Sequence, residues 1–288
     1  MSQNKKCYLC GSSSSIRKSH IIPRFVINYL KKTSATGYLR GVINPNLRKQ
    51  DIKRFPILCS DCEVLFSKYE GLFANNVFYP YHDKNKTSFN YREELKKFAV
   101  SLSWRILAEN LFQNKRRGIE FIKAELNWRD YLNNKTKNTK PYQHHIFFGD
   151  YSENITVDDF PEKLQWYLGR GIDGTIVSSK KGRLFVYTKL CKIMIISFIN
   201  PPKDSSWIST EIKNSGLITA SQIIKDGNFG NFILDRARVV TNAMNSISKQ
   251  QDKKIEKDFL KDPLRVQKSL SLKAFLEEQR LKKERNES

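Results

Sequence analysis

Four cysteines arranged as two close pairs, Cys7/Cys10 and Cys59/Cys62, with one histidine, His20, between them, are the residues of this chain best suited to chemistry. Each Cys-x-x-Cys turn presents both sulfurs to one ion, so the two turns together supply a tetrahedral, all-thiolate metal site. Zinc is the expected ion. A site closed by four sulfurs stabilises a fold and leaves no position for substrate. His20 lies in Ser19-His20-Ile21-Ile22-Pro23, and histidine is the side chain that most often serves as a general base near neutral pH. The alternative for His20 is a ring packed beside the metal site.

The elements that would position these groups follow from local pattern. Pro23 biases Ile22 away from helix, and the β-type side chains of Ile21, Ile22 and Phe25 predict an extended segment over 16–25, then a short helix over 25–31. Residues 33–46, with Gly37, Gly41 and Pro45, read as a loop or weak hairpin. After the second pair a helix is expected from Asp61 or Cys62, with Leu65, Phe66, Tyr69, Leu72 and Phe73 as its apolar stripe and Glu63, Ser67 and Glu70 on its flank.

The chain has 288 residues, 39% of them hydrophobic, and a formal net charge of +22 from 51 basic and 29 acidic residues. That excess predicts a polyanionic partner, with nucleic acid ahead of a membrane surface and DNA ahead of RNA. Protein partners are not readable. From Met1 to Leu58 the basic residues are Lys5, Lys6, Arg17, Lys18, Arg24, Lys31, Lys32, Arg40, Arg48, Lys49, Lys53 and Arg54, against the single acid Asp51, so half of the net charge lies in this fifth of the chain. Arg17, Lys18, Arg24, Arg48, Lys49, Lys53 and Arg54 are the candidate nucleic-acid contacts. No apolar run approaches the roughly 20 residues of a membrane span, and the polar start MSQNKK has no hydrophobic core behind it, so a cytoplasmic protein is expected.

Beyond this segment the pattern predicts an α+β protein. A zinc module over 1–85 would be followed by a companion domain over 86–288, with helices over 91–132, a β-rich region over 142–213 and helices over 228–285. HHIFFGDY, QWYLGRG, GTIVSS, RLFVYTKL and KIMIISFI read as short strands of an antiparallel meander, with Asp173-Gly174 and Lys180-Lys181-Gly182 as turns. Cys191 reads as a buried strand residue. His144 and His145 are strand neighbours facing opposite sides and unsuited to one ion. His82 follows the long helix, from where it could reach back toward His20. Phe147, Phe148, Trp166 and Tyr167 read as core aromatics in preference to base-stacking platforms.

The arrangement Cys7-Tyr8-Leu9-Cys10, then Ser19-His20-Ile21-Ile22-Pro23, then Cys59-Ser60-Asp61-Cys62-Glu63 resembles the HNH endonucleases and their treble-clef relatives over about the first 80 residues. The resemblance implies an N-terminal treble-clef (ββα-metal-like) module and divalent-metal-dependent hydrolysis of nucleic-acid phosphodiesters, with bacterial defence against foreign DNA as a fitting role. It assigns His20 as general base and Glu63 as ligand of a catalytic Mg²⁺ or Mn²⁺, beside structural zinc. Ser19 stands where the family carries a stronger ligand, Glu63 where it carries histidine, and Arg54 where it carries a central asparagine. Ser19, Arg24, Arg54 and Glu70 are supporting candidates, Glu70 lying roughly 10 Å along the helix from Glu63. The alternative is a catalytically inactive, zinc-stabilised nucleic-acid-binding protein, in which Glu63 and Glu70 are a solvated helix flank.

Overall fold

A computed structural model of the chain describes residues 6–52, 54–113, 118–149, 161–178, 183–202 and 206–286. Lys53 and the expected turn at 180–182 lie outside the described residues. The architecture is α+β with small antiparallel sheets.

The first strand, β1 (Ile16–His20), ends before Pro23, which opens α1 (Arg24–Lys32). A proline costs nothing there, because the first helical N–H groups have no intrahelical acceptor. Helix α1 buries Val26, Ile27, Tyr29 and Leu30. The segment expected as loop or weak hairpin contains one small hairpin, β2 (Leu39–Arg40) with β3 (Arg48–Lys49). Strand β4 (Arg54–Cys59) then pairs antiparallel with β1, and the order of partners sets Ile16 against Cys59, Ser19 against Phe55 and His20 against Arg54. Cys59 has extended backbone and caps α2 (Ser60–Phe73), whose first turn carries Asp61 and Glu63, where negative charge suits the helix dipole. Of the expected stripe on α2, Phe66, Tyr69 and Phe73 are buried. A π-helical turn (Ala74–Phe78) joins α2 to α3 (Tyr79–Lys84), and β5 (Ser88–Tyr91) follows.

Helix α4 (Glu93–Gln113) is buried on nearly every side, from Leu95 to Leu111. An enclosed helix must find partners for its polar side chains, and Lys97, Ser103 and Arg105 each have one. It packs on α2 on one side and on the larger sheet on the other, with α5 (Ile119–Leu132) beside it. That sheet is formed by β6 (Gln143–Phe148), β7 (Ile172–Ser178), β8 (Leu184–Leu190) and β9 (Ile193–Phe198) in the order β6-β9-β8-β7, all antiparallel. The central strands β8 and β9 are buried on both faces, while the edge strand β7 is only partly buried. Val186, Leu190, Ile193 and Ile195 join a core that runs from Cys7 to Ile218. Their alternates Phe185, Tyr187, Met194, Ile196 and Phe198 join a second core. That second core is closed by α6 (Leu164–Arg170) and, beyond the short strands β10 (Trp207–Ile208), β11 (Gly216–Thr219) and β12 (Ile223–Ile224), by α7 (Gly227–Asn245). Helices α8 (Lys249–Lys261), α9 (Pro263–Lys268) and α10 (Leu270–Asn286) complete the described chain.

Three expectations need correction. QWYLGRG is helix α6: Leu164, Tyr167 and Leu168 recur at helical spacing and bury together, a pattern that outweighs the local aromatic content. Asp173-Gly174 is no turn but part of β7. A Cβ on Gly174 would sit 3.1 Å from Ile106 Cδ1 and 3.4 Å from Ile22 Cδ1, so glycine there lets the sheet approach α4 and the segment after β1 closely. Cys191 is fully buried but occupies the turn between β8 and β9 with φ 58°, where the Lys189 ammonium donates to its carbonyl at 2.6 Å and to that of Leu168 at 2.9 Å.

Candidate functional site

The β1–β4 ladder and the start of α2 bring the four cysteines together. Their Sγ atoms all lie within 4.8 Å of one another, and Cys10 Sγ is 3.8 Å from Cys59 Sγ. A tetrahedron with metal–sulfur arms of about 2.3 Å has an edge of about 3.8 Å, so this cluster can hold one metal ion such as zinc. No pair is a disulfide, and Cys7, Cys59 and Cys62 are buried while Cys10 is exposed. The Cys59 backbone N–H donates to Cys7 Sγ at 3.3 Å, a contact that favours the thiolate a metal requires. Burial resists ionisation of Cys59, but the backbone N–H and the thiol of Cys62 outweigh it and bring the pKa down to about 6. Burial pushes the Cys62 thiol up, and the neighbouring sulfurs add to that. Burial also raises Cys7, whereas at Cys10 burial is outweighed by the bonds with Ser12, which lower the thiol, so Cys10 and Cys59 ionise ahead of the other two.

The opposite end of the same ladder carries His20. Its Nε2 lies 2.9 Å from Asp51 Oδ1 and 3.2 Å from Oδ2, and 16% of the side chain is exposed. Burial pushes the Asp51 carboxyl up, but the Ile52 backbone N–H, His20 and Arg54 outweigh it and hold the pKa at about 2. A carboxylate can only accept, so in the tautomer that bonds Asp51 the proton is on Nε2 and Nδ1 keeps the lone pair. Among the described residues no hydrogen bond falls on Nδ1. Arg54, the cross-strand partner of His20, pairs with Asp51 through Nη2 and directs its Nε–H at His20 Nε2 at 3.1 Å. Asp51 and Arg54 thus meet at the same ring nitrogen, the carboxylate bonding its protonated form and the guanidinium its lone pair. Lys18, two residues before His20 on β1, is exposed, as is Arg24 at the start of α1. A base oriented by a carboxylate, with a guanidinium beside it, can withdraw a proton while holding an anion nearby.

The expected second metal site has a different fate. Glu70 pairs at 2.7 Å with Arg105, a residue of α4 that is only 3% exposed and whose Nη1 also donates to the His20 carbonyl at 2.9 Å. It therefore fixes the backbone of His20 and is not a ligand. The Arg105 guanidinium lies 5.4 Å over the Phe66 ring, on the stretch of α2 that separates Glu63 from Glu70. Ser19 Oγ, Glu63 Oε1 and Arg105 Nη2 are buried without a hydrogen-bond partner. Among the described residues the Cys quartet is the one group of three or more His, Cys, Asp or Glu donors that could hold an ion. One hydroxyl and one carboxylate, on a helix face crossed by a guanidinium, do not make a cage for Mg²⁺ or Mn²⁺.

The other candidates separate cleanly. Arg17 Nε donates to Ser60 Oγ at 2.8 Å. Arg48 is committed to Asp258 at 2.6 Å and stacks over Tyr38, tying the small hairpin to α8, so it is removed from the free basic face; Lys49, its neighbour on β3, is partly buried. His82 turns away from His20: its Nδ1 bonds the Phe78 carbonyl at 2.8 Å and its Nε2 accepts from the Lys192 N–H at 3.2 Å. His144 and His145 are buried on opposite faces of β6, held by Ser197 at 2.7 Å and Thr210 at 2.8 Å. Phe148 and Tyr167 are core, while Phe147 and Trp166 are partly buried. Sequence reasoning missed Asp51 and Arg105. The first had a signal, since it is the only acid among the twelve basic residues before Leu58; the second is one arginine in a buried helix and had none.

Compared with family models, curated proteins and solved structures, the chain matches none. Among the described residues no helix is long and apolar enough to cross a membrane.

Proposed function

We propose that the chain is a zinc-clamped, treble-clef nuclease of HNH type, which binds nucleic acid through its N-terminal basic face and breaks the phosphodiester backbone with His20 as general base. The observation that carries this reading is the His20–Asp51 hydrogen bond of 2.9 Å, on a strand pair whose other end is the cysteine cluster. Asp51 sets the tautomer, and Nδ1 takes the proton of the attacking oxygen. Arg54, Lys18 and Arg24 offer positive charge to the phosphate. Four thiolates select zinc over harder ions. No step is routed through the Mg²⁺ or Mn²⁺ that the resemblance implies, because the donor set does not fit it.

The test is incubation of the purified full chain with DNA and RNA, with and without added Mg²⁺ or Mn²⁺, beside His20→Ala, Asp51→Asn and Glu63→Ala. His20→Ala is expected to lose roughly 10²–10⁴-fold in cleavage rate while keeping its metal and its affinity for nucleic acid. Equal cutting by His20→Ala sinks the proposal. The lack of a second donor cluster among the described residues favours one competing reading, a binding protein without catalysis. It predicts undiminished binding and no cleavage by any variant.

A further inference from the structure

We infer that the substrate is RNA, and that its own 2′-hydroxyl is the nucleophile, so that cleavage needs no catalytic divalent ion. This rests on the nuclease reading of His20 and deepens it to a substrate class. Hydrolysis of a DNA phosphodiester demands two things of a site: a water made nucleophilic and an oxyanion leaving group stabilised, which one metal ion can supply together. The site holds a single oriented base, with one held guanidinium and exposed basic side chains on the adjoining elements in place of a cage of oxygen ligands. Arg54 is cross-strand from His20 with its side chain 45% exposed, and Lys18 and Arg24 are exposed on the adjoining strand and helix. The carboxylate that touches His20 serves the ring, and Glu70, the one acid that might have joined Glu63, is neutralised by Arg105.

That inventory suits an internal displacement. The ribose 2′-hydroxyl is already held beside its phosphorus, so the protein need not capture or position a water. His20 Nδ1 takes the 2′-hydroxyl proton, the O2′–P bond forms and the P–O5′ bond breaks. The departing 5′ oxygen takes a proton from a water molecule, and the hydroxide so formed recovers the proton from Nδ1. The products are a 2′,3′-cyclic phosphate and a 5′-hydroxyl end. Negative charge gathered on the phosphoryl oxygens in the transition state faces guanidinium and ammonium groups, the type of group suited to it.

The experiment uses the full chain with its zinc retained and one oligonucleotide sequence in three chemistries: RNA, 2′-O-methyl RNA and DNA. Each is incubated without added divalent ion and again with Mg²⁺ or Mn²⁺, and the new ends are identified. The expected result is cutting of RNA alone, without added ion, leaving cyclic-phosphate and 5′-hydroxyl ends, with His20→Gln slower by roughly 10²–10⁴-fold. The 2′-O-methyl arm alters only the substrate, so it decides the matter even if the variant folds poorly. Cutting of DNA or 2′-O-methyl RNA that appears only with Mg²⁺ or Mn²⁺ overturns the inference and leaves the nuclease reading standing. If no substrate is cut under any condition, the nuclease reading falls and this inference falls with it.

Discussion

His20 and the pair His144/His145 show what two regions of one molecule do with the same side chain. On the β1–β4 ladder the ring stays partly exposed, facing an ionised carboxylate and an arginine. In the large sheet the rings are 1% and 3% exposed, held by serine and threonine hydroxyls, and burial depresses the basicity of both, that of His145 to about 4. The first environment leaves its histidine reachable from solvent and beside a carboxylate, whereas burial keeps the second pair neutral. The regions also cohere differently. The sheet is gripped by apolar side chains on both faces, while the N-terminal ladder carries the cysteine cluster at one end and Arg105 at the other.

Removing the metal is the sharpest way to break that comparison. Structural zinc sites supply on the order of 10 kcal/mol, comparable with the total stability of a domain. Cys59→Ser with Cys62→Ser, or exhaustive chelation, is expected to abolish ordered structure at the N-terminus and leave the sheet's near-ultraviolet signal largely intact. Metal analysis giving well under half an equivalent for the wild type, or an unaltered melt for the variant, would remove the clamp. Next in size is Arg105→Ala. Deleting one partner of a buried ion pair costs about 3–5 kcal/mol, here with the His20 carbonyl left unsatisfied as well. A loss below about 1 kcal/mol in urea unfolding would show that Arg105 does not hold the site.

Acid should act on His145 of the sheet before it acts on Asp51. The native pKa of His145 lies below its ordinary 6.5, so the unfolded state binds more protons between pH 6.5 and about 4. Stability is full above 6.5 and falls through that window, by roughly 3 kcal/mol at about 1.4 kcal/mol per pH unit. His145→Gln should flatten the curve there, and an unchanged slope would contradict the assignment. The smallest effect belongs to Asp51. Its depressed pKa contributes stability above about 3.8 that disappears as pH falls toward 2, but the group is 35% exposed and water screens it. Asp51→Asn is therefore expected to cost less than about 1 kcal/mol of stability at neutral pH. A much larger loss would make Asp51 a structural residue like those of the sheet.

The parts of this fold that were legible in sequence are those whose partners are near in the chain or whose pattern is periodic. Two cysteines three residues apart announce a shared ion, and the stripe of Phe66, Tyr69 and Phe73 announces α2. The contact of His20 with Asp51 spans 31 residues and depends on where the small hairpin returns the chain, and that of Arg105 with His20 spans 85. Neither separation leaves a periodic trace. Helix α6 was obscured because aromatic residues favour strands on average, while here the spacing of Leu164, Tyr167 and Leu168 suits the helix that buries them. The clamp is readable from residue types alone, and the His20 site only from the path of the chain.

Strand β4 begins at Arg54, which faces His20, and ends at Cys59, a sulfur donor and the cap of α2. Occupancy at one end and the disposition of the guanidinium at the other are therefore carried by one rigid rod of six residues. Anything that empties the thiolate cluster, an oxidant or a competing chelator, acts on the His20 end without touching it. If the proposed nuclease reading holds, the oxidation state of four sulfurs becomes an input to a site that contains none of them.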